Sequence, residues 1–281
     1  MGTVREKYAE LKETLCFSEE AAAEAMRILQ VTQGRPSGQL QLYMEQPCQN
    51  EPDINAIVQK RRAGMPLAYA IGSKPFYGYE FSVDKTVLIP RYDSECVVER
   101  AITLVKEKQY NTAIDLCCGS GALGIALLLE SGIEAVCFSD ISANALETAR
   151  KNAQRLLPKG KYAQCIFSCG DLLEPIAEKA DILLCNPPYV SPEEYKGLDA
   201  QIQEFEPALA LVAQHDGYEF YERLARESSA YLNPGGAVVL EIGSTQAQGV
   251  QDLLKTAGFD SIECGFDLAG RPRWVSAMPV N

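Results

Sequence analysis

The chain carries Asn186-Pro187-Pro188-Tyr189 directly after the apolar run Asp181-Ile182-Leu183-Leu184-Cys185. That run reads as a buried strand of a parallel sheet, and ligand sites in such sheets lie beyond the carboxyl ends of the strands. Neither proline can donate a backbone hydrogen bond, and both hold the chain extended. The Asn186 side-chain oxygen and the Pro187 carbonyl are thus left as converging acceptors, with Pro188 and the Tyr189 ring beside them. Such a pair fits a planar NH2 group. Holding both of its N–H bonds fixes the direction of the nitrogen lone pair, which in-line transfer of a carbon group to that nitrogen requires. The same tetrapeptide also reads as a rigid corner with a packing tyrosine, and the rest of the chain has to decide between the two.

A second set of residues lies upstream, in Asp115-Leu116-Cys117-Cys118-Gly119-Ser120-Gly121-Ala122-Leu123-Gly124. Glycines at 119 and 121 allow a tight turn and close approach of a ligand, and the helix that follows offers free N–H groups. The GxGxxG spacing by itself is a weak signal. Asp140, at the end of the next apolar run, sits where a carboxylate accepts both ribose hydroxyls of a nucleoside. An acid there serves NAD and S-adenosylmethionine equally. A dehydrogenase also needs a hydride site with an acid or base, and the only histidine, His215, lies in a loop. S-adenosylmethionine needs ribose, adenine and methionine contacts and a nucleophile held in line. Asp115 is placed for the methionine amino group and Asp171, next to Leu172, for the adenine amino group. Each acid alone reads equally well as a cap or turn residue. Together with the Asn-Pro-Pro-Tyr corner at the ends of successive strands they make coincidence a poor account.

These residues need a scaffold. Predicted strands at Thr112 to Leu116, Ala135 to Ser139, Gln164 to Ser168, Asp181 to Cys185, Ala237 to Ile242 and Ser261 to Cys264 alternate with helical segments, which predicts βαβ units and a mostly parallel, doubly wound α/β sheet. Arg273 to Ser276 reads as a closing strand. Upstream, Val4 to Leu15, Ala21 to Leu29 capped by Ser18, Gly38 to Gln46, and Asp53 to Ala63 closed by Gly64 read as a small helical bundle, with a turn at Gly34 to Ser37. Alternating aromatics from Tyr69 and Ile71 through Val87 to Ile89 read as a β-hairpin linker, followed by a helix from Ser94 to Glu107. The predicted organisation is a helical substrate-docking domain over 1–66, a linker over 67–92, and a catalytic domain over 93–281.

Composition narrows the function classes. With 47% hydrophobic and 23% charged residues the chain is an ordinary globular protein. No apolar run approaches the roughly 20 residues of a membrane span, and the first residues are charged, so a cytoplasmic location is expected with no membrane partner. Ten cysteines without CxxC pairs predict buried thiols rather than a metal site, with Cys165 and Cys169 a weak exception. A net charge of −12 argues against stable nucleic-acid binding, although Lys60-Arg61-Arg62 and Arg150, Lys151, Arg155, Lys159 and Lys161 are candidates for a local basic face.

The catalytic region resembles the class I S-adenosylmethionine-dependent methyltransferases, and the whole chain is similar to the peptide chain release factor glutamine N5-methyltransferases. The resemblance rests on Arg62 to Tyr69 with Gly72, Val87-Leu88-Ile89-Pro90-Arg91 ahead of Asp93-Ser94-Glu95, the loop at 117 to 121, Asn186-Pro187-Pro188-Tyr189-Val190, Glu206-Pro207, Asp216-Gly217 and Pro234-Gly235-Gly236. It implies that Asn186 and Pro187 orient a glutamine amide of a class 1 release factor, in a Gly-Gly-Gln loop, and that Tyr189 lines its pocket. It also implies cofactor contacts from the loop, Asp140, Asp171, Leu172 and Asn186. The chain departs from the family pattern at Cys117, where glycine is usual, at Tyr92, where proline is common, and at Leu172, where an aromatic is frequent. A small cysteine is expected to fit at 117 with φ below zero, and leucine to pack on a ring face. The implied reaction is SN2 transfer of the sulfonium methyl, driven by orientation and desolvation without a strong base, and with no metal. The competing readings are an amino methyltransferase acting on adenine or cytosine and a non-catalytic nucleotide-binding adaptor.

Overall fold

The computed structural model describes residues 2–35 and 38–280. The chain divides into two compact units, Met1–Gly72 and Ser73–Asn281.

The first unit is helical: α1 (Val4–Thr14), α2 (Ala21–Thr32), α3 (Glu51–Arg62) and α4 (Leu67–Ile71). Val4, Leu11, Leu15, Ile28, Leu29, Ile54 and Val58 recur at helical spacing and form one core. Thr3 closes a capping box with Glu6 at the start of α1. Several local readings change here. Ser18 does not cap α2; its hydroxyl donates to Glu24 Oε1 at 2.9 Å, and Glu20 occupies the cap position. The stretch Gly38 to Gln46 holds only one 3-10 turn, Leu40–Tyr43. Pro36 and Ser37 of the expected turn lie outside the described residues. Tyr69 and Ile71 belong to α4 rather than to a hairpin: Pro66 pre-sets its start and Gly72, at φ +88°, ends it. Arg61 is not part of a basic face. It is buried and grips Glu24 with two nitrogens, at 2.9 and 2.6 Å.

The second unit opens with the hairpin β1 (Ser73–Phe76) and β2 (Tyr79–Ser82). Val87 to Ile89 form no strand. A seven-stranded sheet follows, built from β3 (Thr112–Leu116), β4 (Ala135–Asp140), β5 (Cys165–Cys169), β6 (Ala180–Cys185), β7 (Leu232–Glu241), β8 (Phe259–Phe266) and β9 (Pro272–Pro279). The longer helices are α5 (Glu95–Lys108), α6 (Ala122–Glu130), α7 (Ala143–Leu156), α11 (Glu219–Glu227) and α12 (Ala247–Thr256), with short α8 (Lys159–Tyr162), α9 (Pro192–Lys196) and α10 (Ala200–Phe205) between α7 and α11. The strand order is β5-β4-β3-β6-β7-β9-β8. β3 to β7 run parallel, whereas β9 is antiparallel to both β7 and β8. The segment from Ser261 onward therefore makes a hairpin and not another βαβ unit. Its loop is short, and Asp267 pins it by accepting from Ala269 N and Arg271 N.

Strand parity sorts the two cores. Ala113, Ile182, Leu184, Ala237 and Val239 face one layer together with Val97, Ala101 and Ile125, while Ile114, Leu183, Cys185, Val238 and Leu240 face the layer of Tyr221, Leu224 and Val250. Helices thus cover both faces, which is why β6 and β7 read as unbroken apolar runs. The chain leaves β3 toward β4 and β5, then crosses to β6 and β7. That reversal opens a crevice past the carboxyl ends of β3 and β6. No helix among the described residues is long and apolar enough to cross a membrane.

Candidate active site

A cavity of about 420 Å³ occupies that crevice. Its wall includes Cys117, Cys118, Gly119, Ser120, Asp140, Asp171, Leu172, Asn186 and Pro188 from the residues picked out by sequence. The ends of β3, β4, β5 and β6 are brought together as the strand spacing predicts.

The loop after β3 is held from both sides. Cys118 N–H donates to Ser139 O at 3.0 Å, and Gly119 N–H donates to Asp140 Oδ2 at 2.9 Å. Asp140 Oδ1 accepts from Ser142 N at 2.9 Å, so both carboxylate oxygens already hold backbone before any ligand arrives. Burial raises the Asp140 carboxyl above its usual range, and these two N–H donors oppose the rise. Gly119 and Gly121 adopt φ +52° and +77°. Gly124 answers a packing need: a Cβ there would come within 2.6 Å of the Phe138 ring and 2.8 Å of Asp115 Oδ2. Cys117 departs from the expectation, since its φ is +53°, a region that costs a β-carbon-bearing residue roughly 1–2 kcal/mol. Leu172 also lies at positive φ, +45°, with its carbonyl accepting from Ser139 Oγ at 3.2 Å.

Asp115 lies beneath the loop and outside the cavity wall. It is fully buried, its Oδ2 accepts from Gly124 N at 2.9 Å, and its Oδ1 has no partner. Burial pushes its carboxyl up to about 8. Asp171 is engaged by Arg223, whose Nη2 sits 2.9 Å from Oδ2, and both line the cavity. Gly121, Pro187 and Tyr189 are not in the wall. His215 is exposed and bonds Glu222 Oε2 at 2.8 Å, well suited to a surface ion pair and not to a cavity base. Cys165 and Cys169 donate to the Lys161 and Ile141 carbonyls.

The corner after β6 is fixed by residues that no local pattern marked. Gln246 Nε2 donates to the carbonyls of Tyr189, at 3.1 Å, and Gly217, at 3.3 Å, while its Oε1 accepts from Gly243 N at 2.9 Å. Gly217 lies so close that a Cβ would fall 2.3 Å from Tyr189 O, which explains the Asp216-Gly217 pair. Val190 N–H donates to Leu211 O and Ala213 N–H to Val190 O, both at 2.9 Å. Burial raises the Tyr189 hydroxyl well above its ordinary value. Glu206, itself buried, accepts from Ile89 N at 3.2 Å and pairs with Arg91. It thereby ties down the Val87-to-Arg91 segment, three of whose residues, Val87, Leu88 and Pro90, line the cavity. Glu241 is a further residue that sequence reasoning passed over. Its only signal was an acid ending the apolar run Ala237-Val238-Val239-Leu240.

Comparison with known proteins agrees with this architecture. The Methyltransferase small domain family model matches residues 100–206. The release factor glutamine methyltransferase of Clostridium acetobutylicum is 38% identical over 225 residues, covering 79% of this chain and 78% of its own. The one from Cereibacter sphaeroides is 32% identical over 261 residues, covering 92% and 91%. Among solved structures, the hMettl16 catalytic domain in complex with MAT2A 3'UTR hairpin 6 superposes with a TM-score of 0.56 at 14% identity, over 81% of this chain and 80% of that one, a likeness of fold. With relatives of that identity matched over 78% and 91% of their own length, the chain belongs to the release factor glutamine methyltransferase family.

Proposed function

We propose that this protein transfers the methyl group of S-adenosylmethionine to the side-chain amide nitrogen of a glutamine in a class 1 peptide chain release factor. The observation that carries the reading is the shared cavity: Asn186 and Pro188 stand in the same wall as the glycine loop and Asp140. A cofactor and an amide are thereby given one enclosed space.

The residues suit the cofactor. Asp140, at the carboxyl end of β4, offers a half-buried carboxylate with lone pairs left after its two backbone bonds. Gly119 leaves open space where a side chain would otherwise stand. Leu172, buried, supplies an apolar face for the base, and the orphaned Oδ1 of Asp115 is the kind of acceptor that an ammonium group satisfies. When bound, the cofactor supplies an electrophilic methyl. The chain's own part is to orient the nucleophile: the Asn186 side-chain oxygen and Pro187 carbonyl take the two amide protons, so the nitrogen lone pair is turned toward the methyl. An amide nitrogen is poorly nucleophilic, and enclosure away from water lowers the cost of bringing it to reaction distance. The helical first unit holds none of these residues and is assigned to docking the protein substrate.

The test is incubation of the protein with labelled S-adenosylmethionine and intact release factor, followed by peptide mass mapping. One methyl on a glutamine side chain is expected. Label recovered in nucleic acid and absent from the factor would overturn the reading.

A further inference from the structure

Register places Glu241 beside Asn186. Cys185 pairs with Leu240 across β6 and β7, so Asn186, which follows β6, and Glu241, the last residue of β7, stand at the same level. Parity puts them on one face. Ile182 and Leu184 on β6, and Ala237 and Val239 on β7, all belong to the core layer that includes α5, and position 186 and position 241 continue those two series. Glu241 is 1% exposed, yet its Oε2 has no hydrogen bond. A carboxyl sealed off in that state is costly unless the surroundings are organised around it.

The groups that face it come from every neighbouring element. The start of α5 contributes the Ser94 hydroxyl, in the cavity wall, with Asp93 and the Cys96 thiol near by. The corner contributes the Tyr189 hydroxyl, β9 contributes the Arg273 guanidinium, and Tyr221 from α11 donates to the Glu241 carbonyl at 2.9 Å. Arg273 is in turn shared with Asp93 and Asp267, at 3.2 and 3.3 Å, and its Nε is also buried without a partner. The carboxyl thus stands between a hydroxyl of the substrate corner and a hydroxyl of the cavity wall.

We propose that Glu241 is a positioning residue for methyl transfer: it holds the Tyr189 and Ser94 hydroxyls in one buried cluster and so sets the angle at which Asn186 faces the cavity. This rests on the reading of Asn186 as the amide-orienting residue. The ionised carboxyl is acceptor-only and carries the charge that faces Arg273 and the two hydroxyls, and protonation removes that charge. Burial, opposed by Ser94, Arg273 and Tyr189 and reinforced by Asp93, places its titration at about 7. The rate of the chemical step therefore rises with pH through neutrality.

The experiment measures kcat against pH and cofactor Kd for the wild type, Glu241→Gln, Tyr189→Phe, the double variant and Asn186→Ala, with melting curves to show that each is folded. Glu241→Gln keeps the size and removes the charge. The expected result is a fall in kcat of about tenfold or more with cofactor Kd unchanged within about twofold, and loss of the inflection near neutral pH. Tyr189→Phe should lower kcat similarly and move the inflection upward, and the double variant should be no worse than the poorer single. A Glu241→Gln enzyme within about twofold of wild type, or losses that multiply, would overturn the proposal. Should Glu241→Gln fail to fold, the Tyr189→Phe profile decides, an unmoved inflection refuting it. An active Asn186→Ala would sink the reading of the corner, whereas an inactive Asn186→Ala beside an unimpaired Glu241→Gln would sink the Glu241 inference alone.

Discussion

Asp140→Ala separates what the carboxylate does for the protein from what it does for the cofactor. In the structure its two oxygens accept from Gly119 N and Ser142 N, each at 2.9 Å. Hydrogen bonds to a charged acceptor contribute about 1.5–3 kcal/mol each, so losing both destabilises the loop and the start of α7 by roughly 3–6 kcal/mol before any ligand is considered. Two ribose hydroxyls donating to the remaining lone pairs are of the same kind, so binding should weaken by a further 3–6 kcal/mol or so, on the order of 10² to 10⁴ in Kd. Titration calorimetry with S-adenosylhomocysteine reads the second quantity and thermal melting the first. Asp140→Asn, with one carbonyl oxygen and no charge, should fall between wild type and alanine on both. Because burial raises this carboxyl, affinity should also drop as pH falls and the group takes up a proton. A Kd for Asp140→Ala within about threefold of wild type, in a protein whose melting point has dropped, would confine Asp140 to a loop-holding role and refute the ribose assignment.

Asn186→Ala should abolish transfer while the melting curve stays near wild type; activity within about tenfold, roughly 1.4 kcal/mol of barrier, would defeat the orientation argument. Cys117→Gly should stabilise the fold by about 0.5–1 kcal/mol after the entropy glycine adds to the unfolded chain, read as a higher melting point, because glycine adopts φ +53° without the strain a Cβ imposes; a lower melting point would show that the thiol's packing outweighs the strain. Asp115, raised from 3.8 to about 8, holds a proton in the folded protein that the unfolded chain has lost, so its contribution is fully present below about pH 4 and is lost as pH climbs toward 8. Melting curves of wild type and Asp115→Asn should therefore diverge in that window, the asparagine protein gaining relative stability with pH, and parallel curves would contradict the burial effect. Deleting residues 1–66 should leave cofactor affinity intact yet cut methylation of the intact release factor by far more than methylation of a short glutamine peptide; equal effects on both substrates would remove the docking role.

The sequence alone was enough for the parallel part of the sheet and for the strand ends at which chemistry occurs. β3, β4 and β6 are short apolar runs bounded by turn residues, and burial on both faces leaves that mark whatever surrounds them. Loop, Asp140 and Asn186 each follow such a run, so strand spacing alone carried them into one crevice. Other features depend on partners distant along the chain. Tyr69 and Ile71 alternate like a strand, but Ala70 packs in the core of the helical unit and the pattern is too short to resist that. Arg61 reads as surface charge until α2 brings Glu24 to it across 37 positions. The reversal at β9 follows from antiparallel pairing that no single strand specifies. The positive φ of Cys117 is imposed from outside, since residue type predicts the opposite sign and the hydrogen bonds of the loop to Ser139 and Asp140 prevail. Gln246 and Glu241 meet the corner only because β6 and β7 lie side by side with the chain's return through α12, a matter of register and packing that is encoded nowhere near residue 186.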